Sequence, residues 1–233
     1  MSEISKTADQ MLTVLELVAE RGPITPTEIA RQLAQHRPVV HRALETLYRR
    51  GLVRRSSLGY LPGISLLHIA RRVEPLLLSI SQPVLAELAR QLGETAILTV
   101  PDGDYAVLAA QALGGGEHFM RIQFDLGFRH SLASGAGGRA ILAFAEHPLL
   151  ERLDMEGPDP RLLQRQLTEV RKTGYAYSHD ELSPNVQGVS APVRQHRQVV
   201  ASIGIVLPSS RMTDLETVAH AVVEAARAIS RKL

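Results

Sequence analysis

The chain has 233 residues, 45% of them apolar, which is enough for one large domain or two small ones. It contains no cysteine, which excludes disulfides and thiolate chemistry, and no apolar run approaches the roughly 20 residues of a membrane span. Residues 1–72 carry 11 Lys and Arg against 6 Asp and Glu, whereas residues 73–233 carry 15 against 18. A basic head on a slightly acidic body is typical of a DNA-binding module joined to a second domain, although ordinary scatter gives the same imbalance.

The first two predicted helices are separated by a short break. A helix is predicted from Ala8 to Arg21, with an apolar face made of Met11, Leu12, Leu15 and Val18. Gly22-Pro23 ends it. Thr25-Pro26-Thr27-Glu28 then matches the capping box S/T-x-x-E with proline at the first helical position, which predicts a second helix to about Leu33.

A third helix is predicted from His36 to Arg50, ended by Gly51, and its two sides differ. Val40, Leu44 and Leu47 recur at the spacing of a buried stripe, while the first turn is polar and basic. Three short helices with a tight link before the third form a helix-turn-helix, whose last helix needs an apolar back and a polar front in the major groove. We predict that DNA is contacted by Thr25, Thr27, His36, Arg37, Val39, His41 and Arg42.

A β-hairpin of the size called a wing is predicted from Leu52 to Leu61, since two short apolar runs bracket a polar tip with a glycine. Arg54 and Arg55 lie where a wing touches backbone phosphate, and a solvated hairpin with two unengaged arginines is the alternative. An apolar helix interrupted by Pro75 is predicted from Ile64 to about Ile80. We interpret residues 64–81 as a connecting helix that pairs with a second subunit or packs on its own chain.

Residues 82–233 alternate between helices and strands, which predicts an α+β sensor-like domain. The strand Val199–Leu207 is nearly all apolar and is therefore expected at the centre of the sheet. The other predicted elements are helices at Pro83–Leu92, Gly137–Ala145, Arg161–Thr173 and Asp214–Lys232, and strands at Thr95–Val100, Tyr105–Gln111, His118–Phe124 and Gly188–Arg194.

Sequence patterns for catalysis are missing. The nine histidines are dispersed, without the H-E-x-x-H spacing of a metal site. The run Ser134–Gly138 lacks the lysine of a phosphate-binding loop, and no G-x-S-x-G elbow occurs. We therefore expect no metal, no cofactor and no enzymatic activity. Three arginines are candidates to reach an anionic effector or to lie on the surface, namely Arg121, Arg129 and Arg139.

The order and spacing of several short motifs resemble the IclR family of bacterial transcriptional regulators over nearly the whole chain. These motifs are Val40–Leu47 with Gly51-Leu52-Val53, Tyr60–Gly63, Gly93-Glu94-Thr95, Ser134–Ala143, Gly174-Tyr175-Ala176 and Ser190–Val193. The resemblance implies a winged helix-turn-helix over residues 1–63 and a GAF-like effector-binding domain over residues 82–233. It further implies a cytoplasmic homodimer or homotetramer on palindromic operator DNA, controlled by a small organic acid or aromatic metabolite.

The resemblance also implies an effector pocket beside the central sheet. Gly135 and Ala136 are expected at its wall, where free backbone N–H groups at a helix start favour a carboxylate. The other implied lining positions are Ser178, Val186, Gly188, Gly204 and Val206. Family members that bind glyoxylate-like acids have a carboxylate, a cysteine or serines at four of these positions. The smaller or less polar residues here indicate a roomier pocket and a larger effector, such as an aromatic or branched acid.

The sequence therefore predicts a ligand-responsive transcription factor. Arg37 is expected to contact either guanine or a phosphate, and the family more often starts this helix with serine or threonine. The alternative is a metabolite sensor, or an enzyme, whose degenerate winged helix serves protein interaction. The basic head and the intact cap, helix and wing distinguish the two hypotheses.

Overall fold

The computed structural model describes residues 4–115, 121–145 and 159–233. The chain divides into two compact units, the first ending at Pro75 and the second beginning at Leu76. None of the helices in the described residues is both long enough and apolar enough to cross a membrane.

The first unit is a three-helix bundle with a two-stranded hairpin, as the sequence predicts. Its helices are α1 (Lys6–Arg21), α2 (Pro26–Gln32) and α3 (Arg37–Arg49). The antiparallel hairpin consists of β1 (Val53–Ser56) and β2 (Gly59–Pro62). Tyr60 also bridges to Ile24, two residues before the start of α2. The wing is thereby fixed to the helices by backbone hydrogen bonds.

The core of this unit lies between α1, α3 and the hairpin. Val40, Leu44 and Leu47 are buried, so the predicted stripe of α3 is confirmed. The predicted apolar face of α1 is wrong at Leu12, which is 54% exposed, because α1 turns Val14, Leu17 and Val18 toward the core instead. Several apolar spacings fit a helix of this length, and only the packing of its neighbours selects among them.

The single helix predicted from 64 to 80 is wrong. The structure has a short helix α4 (Ser65–Ala70), a break at Glu74 with a positive φ of 41°, and a long helix α5 (Pro75–Leu92). Pro75 begins a helix instead of interrupting one, since a helical first position needs no N–H. Pro83 lies inside α5 and does not begin a separate helix.

The second unit is built on a six-stranded antiparallel sheet in the order β5-β4-β3-β8-β7-β6. The strands are β3 (Thr95–Asp102), β4 (Tyr105–Ala112), β5 (Arg129–Ser131), β6 (Ala176–His179), β7 (Val186–Gln195) and β8 (Gln198–Pro208). The predicted central position of the last strand is confirmed, because β8 pairs with both β3 and β7. The strand β6 is only four residues long and is not predicted from the sequence.

Helices cover both faces of this sheet. On one face, α5 and α8 (Leu215–Ser230) pack on the inward side chains of β3, β7 and β8. On the other face lie α6 (Gly135–Leu142) and α7 (Pro160–Thr173), which share a smaller core. The predicted end of α7 is confirmed, because Gly174 ends it in a left-handed conformation. The Asp214 carboxylate caps the start of α8, which ends at Ser230, two residues before the predicted Lys232.

The third strand predicted at His118–Phe124 lies partly outside the described residues, which resume at Arg121. Residues 121–124 form no strand, and β5 is the strand that pairs with β4. Thr95 donates a hydrogen bond to the Ile122 carbonyl (2.6 Å), and Gln111 donates one to the Phe124 carbonyl (2.9 Å). Hydrogen bonds from side chains therefore fix this segment, in place of the backbone hydrogen bonds of the predicted strand.

Candidate functional site

The front of α3 is polar, exposed and basic. Arg37, His41 and Arg42 are exposed, and no acidic residue lies in the first turn, where the helix dipole adds positive potential. His36 is exposed at the N-cap position, and Val39 is half-buried. An anion such as a DNA phosphate is favoured at such a helix start.

The two arginines of the wing are in different situations. Arg54 is exposed, and no carboxylate pairs with it among the described residues. Arg55 instead donates to Glu45 on α3 (2.6 Å) and to the Tyr60 hydroxyl (3.1 Å), with its guanidinium 4.3 Å from the centre of the Tyr48 ring. The predicted phosphate contact is thus open to Arg54, whereas Arg55 joins the wing to α3.

Glu45 also accepts a hydrogen bond from Arg49 at the far end of α3 (3.0 Å). This bond, aided by the positive charge of Arg55, lowers the pKa of Glu45 below its ordinary value. One carboxylate therefore offsets two of the exposed cations, and Arg37, Arg42 and Arg54 remain without a carboxylate partner in the described residues.

The threonines predicted to contact DNA lie at the start of α2. The Thr25 hydroxyl accepts from the Glu28 N–H (3.3 Å), and the Glu28 carboxylate accepts from the Thr25 N–H (3.0 Å). The predicted capping box is therefore confirmed, and it engages the hydroxyl of Thr25. Thr27 is exposed beside it.

A cavity lies in the second unit, between the sheet and the start of α6. One part of its wall is apolar and is formed by Ile97, Leu108, Phe124, Phe128, Leu182, Val186 and Val206. The remaining wall is mainly polar or small and is formed by Thr99, His130, Ala136, Gly137, Ser178, Gln187, Gly188 and Ser190. An organic molecule with an apolar body and a few polar groups matches this division.

Five of the seven predicted effector positions line this cavity: Ala136, Ser178, Val186, Gly188 and Val206. Gly204 does not, because the space beside it is filled: a Cβ there would lie 2.1 Å from the Ser190 hydroxyl oxygen. Gly135 adjoins the cavity at the start of α6, where its φ of +71° and the nearby Leu182 side chain favour glycine. Gly204 therefore lies behind Ser190, which lines the cavity in its place.

At the start of α6, where an effector carboxylate was expected, the structure has the side-chain carboxylate of Glu181. Glu181 accepts from the Gly135 N–H (2.8 Å) and forms a two-pronged ion pair with Arg139, which is 1% exposed. Arg139 also donates to the Tyr177 carbonyl (2.7 Å). The first N–H of α6 is thus engaged, contrary to the expected free group, and the next two residues, Ala136 and Gly137, line the cavity.

The three arginines considered for an anionic effector lie in different places. Arg139 is buried and fully engaged, whereas Arg129 pairs with Asp102 (3.3 Å) and lies over the Tyr105 ring. Arg121 is exposed. None of them lines the cavity. Within the described ranges, no group of three His, Asp or Glu residues is arranged to hold a metal ion.

His130 is the titratable residue of the cavity wall. Burial lowers its pKa below the ordinary value of 6.5, an effect that nearby Arg139 reinforces. Hydrogen bonds to the Ser131 and Ser134 carbonyls and the charge of Glu181 oppose this lowering without reversing it. The balance of these effects favours the neutral ring.

We expect His130 to make the second unit less stable in mild acid. The pKa of His130 is lower in the folded protein than in the unfolded chain, so the unfolded chain binds the proton first as the pH falls. The stability that the neutral His130 contributes is therefore complete above about pH 6.5 and is lost at lower pH. Denaturant unfolding between about pH 7.5 and 5 should show this slope, and His130→Gln should flatten it. An unchanged slope in the variant would contradict the assignment.

Comparison with known proteins agrees with both units. Residues 7–57 match the IclR helix-turn-helix domain, and residues 73–231 match the C-terminal domain of bacterial IclR transcriptional regulators. The chain belongs to the IclR family. It is a transcriptional regulator with a DNA-binding head and a C-terminal effector domain, and not an enzyme.

Named relatives of this IclR-family chain are themselves regulators. It is 31% identical to the regulator BhcR of Paracoccus denitrificans, over 95% of this chain and 85% of that protein. It is 28% identical to the repressor IclR of Escherichia coli, over 87% and 80%. The crystal structure of Thermotoga maritima IclR superposes with a TM-score of 0.81, at 26% identity over 97% and 98% of the two chains.

A further IclR homologue, from Microbacterium hydrocarbonoxydans, was crystallised with 4-hydroxybenzoate. It has the same fold, with a TM-score of 0.83 at 20% identity over 98% and 99% of the two chains.

Sequence reasoning missed most of the cavity wall. Phe124 and Phe128 follow a glycine-rich stretch and stack with ring centres 4.9 Å apart. Two aromatic residues in a chain with only four phenylalanines and no tryptophan were an available signal. The arginine at position 139, within an otherwise small and apolar helix, was a second signal, because such a residue is buried only when paired.

Proposed function

We propose that this regulator binds an inverted-repeat operator as a homodimer or homotetramer, and that a small aromatic or branched acid controls its affinity for DNA. The observation that carries the proposal is the set of three exposed arginines, Arg37, Arg42 and Arg54, that no described carboxylate neutralises. They belong to the helix and the hairpin that a winged helix-turn-helix uses against DNA. A protein of this kind acts where the DNA is, in the cytoplasm.

The head has what each kind of DNA contact requires. Arg37 at the start of α3 is suited to guanine in the major groove, and His36, Val39, His41 and Arg42 are on or beside the same turn. Arg54 on the wing and Thr27 on α2 are suited to the phosphates that flank the groove. Thr25 and Arg55 act by holding α2 and the wing in place.

The effector domain favours a ligand with a sizeable apolar body. Ile97, Leu108 and Val206 form an apolar patch against which Phe124 and Phe128 pack. The N–H groups of Ala136 and Gly137 at the start of α6 are suited to a carboxylate. The homologue crystallised with 4-hydroxybenzoate supports an acid of this class.

Regulation follows if the effector prefers one arrangement of the two heads over the other. Such a ligand changes DNA affinity only by the difference between its affinities for the two arrangements. Operator half-sites separated by about one helical turn, or a multiple of it, are expected for two symmetry-related heads.

The test is a selection from random duplex DNA with the purified protein at physiological salt, with and without a panel of aromatic and branched acids. An enriched inverted repeat supports the operator proposal. A folded protein that enriches nothing under any of these conditions favours the alternative, a metabolite sensor whose winged helix serves protein interaction. A DNA affinity that falls steeply with salt further separates the two.

On the selected operator, Arg37→Gln should weaken binding by roughly 5- to 150-fold, the equivalent of losing one good base contact. If Arg37 holds a phosphate, the loss is uniform across operator variants and the salt slope falls by about one. Fluorescence anisotropy over a salt series measures both. Arg49→Gln is the matched control, since Arg49 lies at the other end of α3 and already pairs with Glu45. Equal affinities for Arg37→Gln and the wild type would refute the contact.

Gly188→Val should prevent effector binding and leave the fold of the DNA-binding unit unchanged. A Cβ at Gly188 would lie 2.9 Å from the Ser178 hydroxyl oxygen and 3.4 Å from the Ala136 Cβ, so a valine fills the cavity. We expect about tenfold weaker binding or more for any acid that raises the Tm of the wild type. Gly115→Val is the control, because a Cβ there meets nothing within 4 Å. A ligand response kept by Gly188→Val would place the effector elsewhere.

A further inference from the structure

A groove with a basic wall lies beside the end of β7 in the second unit. Its cations come from three elements: Arg171 from α7, Arg194 and His196 from the end of β7, and Arg227 and Arg231 from the end of α8. None of the described residues that line this groove is acidic, although Glu224 pairs with Arg227 from outside it (2.6 Å). Residues 73–233 as a whole carry 18 Asp and Glu against 15 Lys and Arg, so the groove is more basic than the domain that contains it.

Two of these arginines are held at the same place by neutral groups. Arg171 donates through Nε to the Ala143 carbonyl (2.5 Å), and the guanidinium carbon of Arg194 lies 4.1 Å from the centre of the Phe144 ring. Ala143 and Phe144 are consecutive, so guanidinium groups from a helix and a strand meet just after the end of α6. A carbonyl and a ring orient these groups and leave their charge unbalanced, which favours an anion beside them.

The helix dipole accounts for only part of this charge. Arg171 lies in the last turn of α7 and Arg231 is the C-cap of α8, where cations interact favourably with the dipole. Arg194 lies on a strand, so no helix dipole explains why its charge lines the groove.

The groove follows an edge of the sheet that is closed to a further strand. Within the described residues, β6 pairs with β7 only as far as Ser190, which leaves the rest of β7 with a free edge. Pro192 on this edge has no N–H, and the N–H of Arg194 donates to the Ser230 hydroxyl (2.8 Å). An added strand would find neither donor, so the groove suits a ligand that is held by side chains.

We propose that this groove binds a small organic phosphate monoester, with Arg171 and Arg194 holding the phosphate. A phosphate monoester concentrates nearly two negative charges on three oxygens, which matches two guanidinium groups at one place. A carboxylate offers one charge and two oxygens, and a dicarboxylate spreads its charge over two groups. The organic part of the ligand lies on the apolar part of the wall, which is formed by Ala191, Pro192, Val223 and Ala226. The groove shares no lining residue with the effector cavity, so this is a second ligand site.

The experiment is isothermal titration calorimetry of the full chain with phenyl phosphate, inorganic phosphate and malonate, in phosphate-free buffer at physiological salt. Both phosphates should bind, phenyl phosphate more tightly, and malonate should bind more weakly than either. Malonate binding as tight as that of phenyl phosphate would overturn the phosphate class. The absence of binding by both phosphates would overturn the site.

Substitutions locate the bound phosphate. Arg194→Gln and Arg171→Gln should each weaken phenyl phosphate binding by about tenfold or more, the equivalent of one hydrogen bond to a charged group. Arg165→Gln is the matched control, since Arg165 is exposed on α7 and does not line the groove. Circular dichroism establishes folding, and Arg194→Lys, which keeps the charge and loses the planar fork, replaces Arg194→Gln if the latter does not fold. Wild-type affinity in the folded groove variants would overturn the assignment.

Two further variants separate this groove from the other sites of the protein. Phenyl phosphate binding should persist in Gly188→Val, in which the effector cavity is filled, and in Arg37→Gln, which removes a cation from the front of α3. Loss of binding in Gly188→Val would place the phosphate in the effector cavity, and loss in Arg37→Gln would place it on the head. Either result would overturn the inference and leave the proposed regulation of DNA binding standing.

Discussion

Replacing Arg139 with methionine should lower the unfolding free energy of the second unit by about 3 kcal/mol or more. Arg139 lies on α6 with 1% of its surface exposed, and its guanidinium holds the Glu181 carboxylate and the Tyr177 carbonyl. Methionine has a similar length and no donor, so it keeps much of the packing and leaves both acceptors without their partner. Removing one member of a buried ion pair lowers the free energy of unfolding by more than the intact pair contributes to it, because the other charge stays buried without a partner.

Denaturant unfolding of the full chain measures this loss. Arg227→Met is the control, because Arg227 forms an exposed i,i+3 pair with Glu224, and such pairs contribute little. Glu181→Gln should be milder than Arg139→Met, since the Glu181 side chain is 28% exposed and the amide oxygen still accepts. Unfolding midpoints that are the same for Arg139→Met and Arg227→Met would show that the buried pair is not needed.

This ion pair also bears on the cavity. Glu181 holds the chain between β6 and β7 against the start of α6, and Leu182, the next residue, lines the cavity. The Arg139–Glu181 pair therefore positions one wall of the cavity, although neither residue lines it. We expect Arg139→Met to weaken effector binding in addition to lowering stability.

Leu44→Ala should destabilise the head by about 2–5 kcal/mol and greatly reduce DNA binding. Leu44 lies on the buried side of α3, in the core that α3 shares with α1 and the wing. The substitution leaves a cavity behind the helix that carries Arg37, so the basic front loses its fixed position. A loss of this size is comparable with the whole stability of a small unit.

Hydrogen exchange and DNA binding by the full chain measure this result. Leu58→Ala is the matched control, since Leu58 is 71% exposed at the tip of the wing and should leave the stability of the head unchanged. Protection in α5 and the sheet should be retained in both variants if the effect is confined to the head. Wild-type protection of α3 in Leu44→Ala would contradict the assignment of the core.

The sequence alone determined the parts of this protein that local physics controls. The capping box at Thr25 and Glu28, the stripe of Val40, Leu44 and Leu47, and the glycine after α7 each act within a few residues, so their patterns are readable in order along the chain. The alternation of apolar strands and helices likewise predicted the α+β class. Motif order added the family, since no single motif was specific.

Only the tertiary structure decided which distant residues meet. Arg139 and Glu181 are 42 positions apart, and no periodicity indicates that they pair at the start of α6. Gly204 was expected at the pocket, yet the register of β8 with β7 places it against Ser190, where a Cβ would clash. Arg55 shows the same limit, since only one of the two arginines of the wing meets a carboxylate on α3. Pairing, register and burial depend on the sum of packing contacts over the whole fold, which a local pattern does not contain.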